Sequence, residues 1–238
     1  MTIPPHLGEA AGRVLIETLR LGKFGKPVEL SEIASKAKAS ESFASSVLTS
    51  VTGKLDDTRI FLGSTLCVRM AIEAARAGRL RDAAQAISWR EFEEFAGKCL
   101  EEAGFRTEAN VRVNGNERRW QIDVIGFQGG LVLAIDCKHW NTPGSISRFR
   151  LAADHQRLAT SHYLTALHEK SARGNGERHA LAVILTLSEP PAQFHRGAML
   201  VSVEKLPSFL SGVTPYDENL PFITSSPLLV ENPMSRAR

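Results

Sequence analysis

Gln121-Ile122-Asp123-Val124-Ile125-Gly126-Phe127-Gln128-Gly129-Gly130-Leu131-Val132-Leu133-Ala134-Ile135-Asp136-Cys137-Lys138 is the stretch whose reading decides the fold. Two runs rich in β-branched and other apolar residues flank Gly129-Gly130, and a diglycine takes the positive φ values of a tight two-residue hairpin turn. With those two glycines as the whole loop, Gln128 faces Leu131. Counting back along both strands sets Asp123 opposite Asp136 and Gln121 opposite Lys138. Side chains alternate between the faces of a strand. Asp123, Asp136, Lys138 and Gln121 therefore fall on one face at one end of the ladder, and Ile122, Val124, Leu133, Ile135 and Cys137 on the other.

Like charges directly opposed across two strands are unfavourable. A divalent cation, a shared proton or full exposure to water can offset the repulsion, and the apolar neighbours argue against exposure. A hard metal with oxygen ligands, such as Mg²⁺, is the expected occupant. Lys138, two residues on, is placed to orient a metal-activated water or to neutralise charge developing on a phosphate. The competing reading makes Asp136 and Lys138 a surface ion pair at a wet strand end. The opposed Asp123 and the hydrophobic strands favour the metal site, and so does the helix that precedes them.

That helix has a chemical start signal. Ser88-Trp89-Arg90-Glu91 is a capping box, Phe92, Phe95, Ala96, Cys99, Leu100 and Ala103 form an apolar stripe, and Gly104 is the stop. At about 100° per residue, Glu94 points nearly opposite the stripe and Glu91 lies well off it. Glu93 sits at the margin, beside Ala96 and Leu100, and can look over the edge toward the sheet. Its alternative role is an exposed acid favoured by the helix N-terminal dipole.

Phe92-Glu93-Glu94-Phe95-Ala96, Gly104-Phe105, Gln121-Ile122-Asp123-Val124-Ile125 and Ile135-Asp136-Cys137-Lys138 together resemble the PD-(D/E)XK nuclease superfamily. More narrowly, they resemble its Mrr-type restriction endonucleases and archaeal Holliday-junction resolvases. The resemblance spans residues 88 to 210 and implies a helix, a three-stranded meander, a second helix and a further strand completing a mixed sheet. It further implies a Mg²⁺ site, which Mn²⁺ can also fill, for hydrolysing DNA phosphodiesters. By position its residues are Glu93, Asp123, Asp136 and Lys138, with the backbone carbonyl of Cys137 as a further metal ligand. In relatives a polar residue of the second helix often approaches the lysine, which brings in Gln156. The Pro of the superfamily name is absent, since Ile122 precedes Asp123, and Asp136 stands where Glu or Gln is commoner in the Mrr branch. That leaves the subfamily open.

Upstream, residues 6 to 86 read as mostly helical. Leu7, Ala10, Ala11, Val14, Leu15 and Leu19 recur at helical spacing, and Ile33-Ala34-Ser35-Lys36-Ala37 is a short helix. Ser40 or Ser42 caps a third helix carrying Phe43, Val47, Leu48 and Val51, and Gly53 ends it. Leu55 to Leu62 reads as a β-wing, and Ser64 to Ala86 as one long helix or a helix and linker. That order is the one of a winged helix-turn-helix, so DNA is an expected partner. The exposed side of the third helix is mostly Ser45, Ser46, Thr49 and Ser50, poor readers of base edges, so dimerisation or protein docking is equally open.

Downstream, Arg106 to Val113 is a strand turning at Asn114-Gly115-Asn116, and Thr142-Pro143-Gly144 is a loop. Ser145 to His168 is a helix whose Arg148, Arg150, His155, Gln156 and Arg157 make part of it basic and polar. Ala172 to Glu177 is a Gly-rich turn, His179 to Leu187 a buried strand and Met199 to Val203 a short one. Glu204 to Leu210 is a terminal helix, and Gly212 to Arg238 a proline-containing tail without period. The seven histidines share no spacing that would build a metal cluster. Cys67, Cys99 and Cys137 are scattered, which argues against zinc and disulfides and for a reducing cytoplasm.

With 43% hydrophobic and 23% charged residues and no apolar run able to span a bilayer, a soluble chain and no membrane association are expected. No signal peptide is evident, and the net charge of +3 is compatible with nucleic acid. The expectation is therefore an α/β protein with a restriction-endonuclease-like mixed sheet flanked by helices (87–211), preceded by a winged-helix-like domain (1–86) and followed by a tail (212–238). Its function is a Mg²⁺-dependent endodeoxyribonuclease acting in restriction, repair or junction processing. The alternative is a DNA- or protein-binding module that keeps the fold without cutting. A homodimer suits an enzyme that cuts both strands.

Overall fold

The computed structural model describes residues 8–23, 25–54, 58–115, 118–140, 145–170 and 178–224. The chain begins with α1 (Gly8–Leu21), β1 (Val28–Glu29), α2 (Leu30–Ala37), α3 (Glu41–Thr52) and β2 (Arg59–Ile60). The Ser40 hydroxyl caps α3 by accepting from the Phe43 N–H at 3.2 Å. β1 and β2 pair antiparallel, Val28 with Ile60. Part of the expected wing, Leu55 to Asp57, lies outside the described residues. The long helix expected over Ser64 to Ala86 is two helices, α4 (Ser64–Arg76) and α5 (Leu80–Ala86). Gly78 separates them with a φ of +80°, a left-handed backbone that ends α4 and lets the Arg79 N–H reach back to the Ala74 carbonyl.

α6 (Trp89–Glu102) starts at the expected capping box, with Ser88 and Glu91 bonded reciprocally. β3 (Arg106–Gly115), β4 (Arg118–Gln128) and β5 (Leu131–Lys138) form the meander, and α7 (Ile146–Lys170) crosses over to β6 (His179–Thr186). β7 (Phe194–His195), β8 (Ala198–Ser202), α8 (Leu206–Gly212) and β9 (Ile223–Thr224) follow. The strand order is β3-β4-β5-β6-β8-β7, with β9 on β6. β5, β6 and β8 run parallel, and the other pairs are antiparallel. β6 is buried along Ala180–Thr186 because both of its faces are covered.

The hairpin register is the one the diglycine dictates. Gln128 pairs with Leu131 and the ladder runs back to Val124 opposite Ile135, with Gly129 at a φ of +57°. The strict alternation fails in one place. Val124 packs with Leu133 and Ile135 on the α6 side, as expected, but Ile122 packs with Val113, Trp120 and Ile125 on the α7 side. The cause is local: Asn110, which the β3–β4 register sets opposite Asp123, takes a left-handed φ of +53°. The kink resets the pleat on both strands, and Asp123 sits at the switch. Gln121 is correspondingly turned out to solvent, where its amide meets the Asn110 side chain at 3.5 Å.

One apolar core runs from Ala11 on α1 through Phe92 and Phe95 on α6 to Leu210 on α8, covering one sheet face. The opposite face buries Trp120, Ile125, Val132 and Ala134 against Ala159, Tyr163 and Leu164 of α7. The β3 ladder continues to Gly115 opposite Arg118, so Asn114 and Gly115 belong to the strand rather than the turn. Asn116, Thr142-Pro143-Gly144 and Ala172 to Glu177, where turns are expected, lie outside the described residues, as do 225–238. β9 has no counterpart in the sequence reading. It is a two-residue antiparallel addition, His179 to Thr224 and Ala180 to Ile223, too short to leave a period.

Candidate active site

The acids meet where β4 and β5 run out of ladder. One Asp123 carboxylate oxygen accepts the Cys137 N–H at 2.8 Å, so Asp123 caps the end of β5 across the hairpin. Asp136 is 9% exposed and both its oxygens lie 2.8 Å from the Lys138 ammonium. Residues two apart on a strand share a face, which is what allows this pair. The capping box and the stripe from Phe92 to Leu100 lock α6 against the sheet, and Glu93 at the stripe's margin faces the two aspartates.

Electrostatics follow from crowding. Burial first, then the Asp123 and Asp136 charges, push the Glu93 carboxyl up to about 7 despite Lys138 and Arg90. Burial and then Asp136 also raise the Asp123 carboxyl, with the Cys137 N–H pulling the other way. Desolvation, then the Asp123, Asp136 and Glu93 charges, hold the half-buried Cys137 thiol well above its ordinary range. It is no nucleophile. Only its backbone carbonyl is available as a donor.

Gln156 is fully buried on α7, and its amide N–H donates to the Ala134 carbonyl at 2.8 Å, one same-face step from Asp136. Its amide oxygen has no hydrogen-bond partner among the described residues. Next to it in the chain lies His155, one of the histidines that share no metal-cluster spacing. Its ring lies 5.0 Å from Trp120, and burial, Arg118 and Lys138 lower its pKa while Asp123 opposes them. No sequence spacing ties it to the acids; only the packing of α7 on β4 does. His139 is placed by packing as well. Its Nε2 lies 3.0 Å from the Ala84 carbonyl and its ring meets Phe92 edge-on at 5.4 Å, linking α5 and α6 to the end of β5.

Among the described residues no three of His, Cys, Asp and Glu converge closely enough to grip a metal ion as they stand. The donor set nonetheless fits a hard divalent cation in kind. It offers carboxylate oxygens whose mutual repulsion a cation would relieve, and at Asp136 the Lys138 ammonium already plays the counter-ion.

A mixed sheet flanked by helices, carrying acids at the end of its central hairpin, puts the chain in the restriction-endonuclease-like class. Comparison then narrows the class: residues 84–176 match the Mrr catalytic family, described as a restriction endonuclease, and the chain belongs to this family of the PD-(D/E)XK superfamily. An uncharacterised protein of Archaeoglobus fulgidus is 30% identical over 127 residues, covering 53% of this chain and 92% of the relative. Two crystal structures are similar at lower identity. The protein of unknown function AF1548 has 24% identity and a TM-score of 0.31, over 48% of this chain and 58% of that one. Protein VC1899 from Vibrio cholerae has 14% identity and a TM-score of 0.40, over 87% of this chain and 52% of that one. The chain thus spans little more than half the length of either solved relative.

Proposed function

We propose that the protein is a Mg²⁺-dependent endodeoxyribonuclease, with Mn²⁺ able to substitute. Asp123, Asp136 and the Cys137 carbonyl would hold the cation, and Glu93 would join directly or through water. The observation that carries the reading is geometric: Asp123, bonded to the Cys137 N–H at 2.8 Å, and the buried Asp136, paired with Lys138 at 2.8 Å, meet where β4 and β5 run out of ladder, with Glu93 of α6 close enough to feel both charges. A fold keeps such a destabilising cluster where it has work for it. When bound, Mg²⁺ lowers the pKa of a coordinated water and screens the phosphate.

The other roles belong to the chain. Glu93, on α6 beside both aspartates, would accept a hydrogen bond from the attacking water and so help to orient it. Lys138 neutralises charge that builds on the phosphate in the transition state. Gln156 is a positioning residue: its bond to Ala134 fixes the part of β5 that presents Asp136. The N-terminal region, 1–86, is read as a winged-helix-like domain joined to the nuclease domain 87–211, with 212–238 as a tail. The β1–β2 ladder beside α2 and α3 supports that reading. A cytoplasmic enzyme that pairs as a two-fold dimer completes the proposal.

The test is nicking of a plasmid and of a four-way junction with Mg²⁺ or Mn²⁺, wild type against Asp136→Ala. Cutting by the wild type alone is the expected result. Metal-independent DNA binding with no cutting by either protein would leave a binding module on a nuclease fold.

A further inference from the structure

All three tryptophans of the chain carry an arginine guanidinium over the ring: Arg90 over Trp89 at 5.2 Å, Arg118 over Trp120 at 3.7 Å and Arg148 over Trp140 at 5.0 Å. All three tryptophans lie within four residues of Glu93, Asp123 or Lys138 in the chain. Trp89 lies four residues before Glu93 on α6, on the same helical face and one turn nearer the N-terminus. Trp120 lies three residues before Asp123 on β4. The Trp140 N–H donates to the Lys138 carbonyl at 2.9 Å.

Their surroundings separate two structural tryptophans from a third. Trp120 is buried, donates from its ring to the Gly115 carbonyl at 2.9 Å and packs on His155 and His162. Trp140 is half-buried and meets Phe149 edge-on at 5.2 Å. Trp89 is 57% exposed. Of the three it alone offers a ring face to solvent, with a guanidinium beside it.

The partner's chemistry can be read from the neighbours. Arg81 and Gln85 of α5 line a small cleft with Trp140, and Arg148 stands over the same ring. Arg90, Arg118 and Arg148 enter no ion pair among the described residues, so their charge is available to phosphates. Aromatic planes set among guanidinium groups match a nucleic-acid strand whose bases offer their flat faces. Along its length a paired duplex presents base edges and phosphates instead, and only its terminal pairs leave a flat face for an indole.

We propose that the Trp89–Arg90 and Trp140–Arg148 pairs, linked through the Phe92–His139 ring contact between their neighbours, take unpaired DNA, with a base outside the duplex stacked on Trp89 and the neighbouring phosphates met by Arg90 and Arg148. The proposal rests on the nuclease reading of the acid cluster and narrows its substrate to DNA with a single-stranded segment, such as a fork or flap.

The test is binding by the full chain in EDTA, which removes cleavage from the readout. The probes are oligo(dT), a forked duplex and a blunt duplex, followed by DNA anisotropy and tryptophan fluorescence. Wild type is expected to bind the fork and oligo(dT) with quenching. Trp89→Ala is expected to lose about 10-fold in affinity for both, with the blunt duplex unchanged and Trp89→Phe near wild type. Equal losses on fork and blunt duplex would overturn the proposal and leave the nuclease reading standing, as would wild-type binding of the fork by Trp89→Ala. So would a shift from dimer to monomer in Trp89→Ala with fork binding intact, because the indole would then serve a second copy. A wild type that binds none of the probes in a salt-sensitive way would remove both readings.

Discussion

Glu93 is an acid that holds its proton at a pH where glutamates ordinarily do not, and the pH dependence of stability follows. Its folded pKa of about 7 lies above the ordinary 4.5, so its contribution is fully present below 4.5 and is lost as pH rises through about 7. In EDTA the melting temperature should therefore fall between about pH 5.5 and about pH 8, and Mg²⁺ should raise it more at the upper end. Scanning calorimetry at both values checks this; an equal Mg²⁺ effect at both would contradict it. Asp123→Asn keeps an acceptor for the Cys137 N–H and removes a repelling charge. The metal-free variant should melt above wild type at about pH 8, while its cleavage rate drops at least ~100-fold. Asp123 and Asp136 could be placed at one strand end because a two-residue loop makes the hairpin register a matter of counting, although the ladder stops at Val124 opposite Ile135, and helical phase alone turned Glu93 toward the sheet. His155 was not legible, since its place depends on how α7 packs over β4.

Packing at the level of elements decides whether Glu93 reaches the sheet at all. Gly126 on β4 faces α6, and a Cβ there would come within 2.4 Å of the buried Leu100 side chain and 3.2 Å of Phe105. Gly126→Ala should cost about 1–3 kcal/mol in urea unfolding by overpacking, and should lower cleavage by lifting α6 from the site. Ser88→Ala removes half of the capping box and should cost about 1 kcal/mol with a smaller loss of activity. α6 itself was readable from its cap, stripe and Gly104. The kink at Asn110 was not: asparagine is among the non-glycine residues most tolerant of a left-handed backbone, but a lone Asn in a strand does not say that it takes it, so simple alternation puts Ile122 on the wrong face. The break between α4 and α5 hid for a related reason, as the apolar residues around Gly78 keep helical spacing on both sides.

For the molecule as a whole, the N-terminal helices and one sheet face share a continuous core, and His139 and Phe92 tie α5 and α6 to the end of β5. Among the described residues no helix is long and apolar enough to cross a membrane. The helix and the buried strand after Lys138 were readable from their apolar patterns, whereas the parallel pairing of β5 with β6 is seen only in the fold, and β7 and β9, two residues each, carried no signal to read. If phosphates are the main contact, affinity for any DNA should fall steeply between low and moderate salt. A flat salt profile in anisotropy would point to another substrate. Diffraction from a crystal soaked in Mn²⁺, read at the manganese absorption edge, tests the central claim most directly. We predict an anomalous peak between Asp123 and Asp136, in contact with the Cys137 carbonyl and absent in Asp136→Ala; a crystal with manganese bound elsewhere, or with none at those carboxylates, would contradict the account.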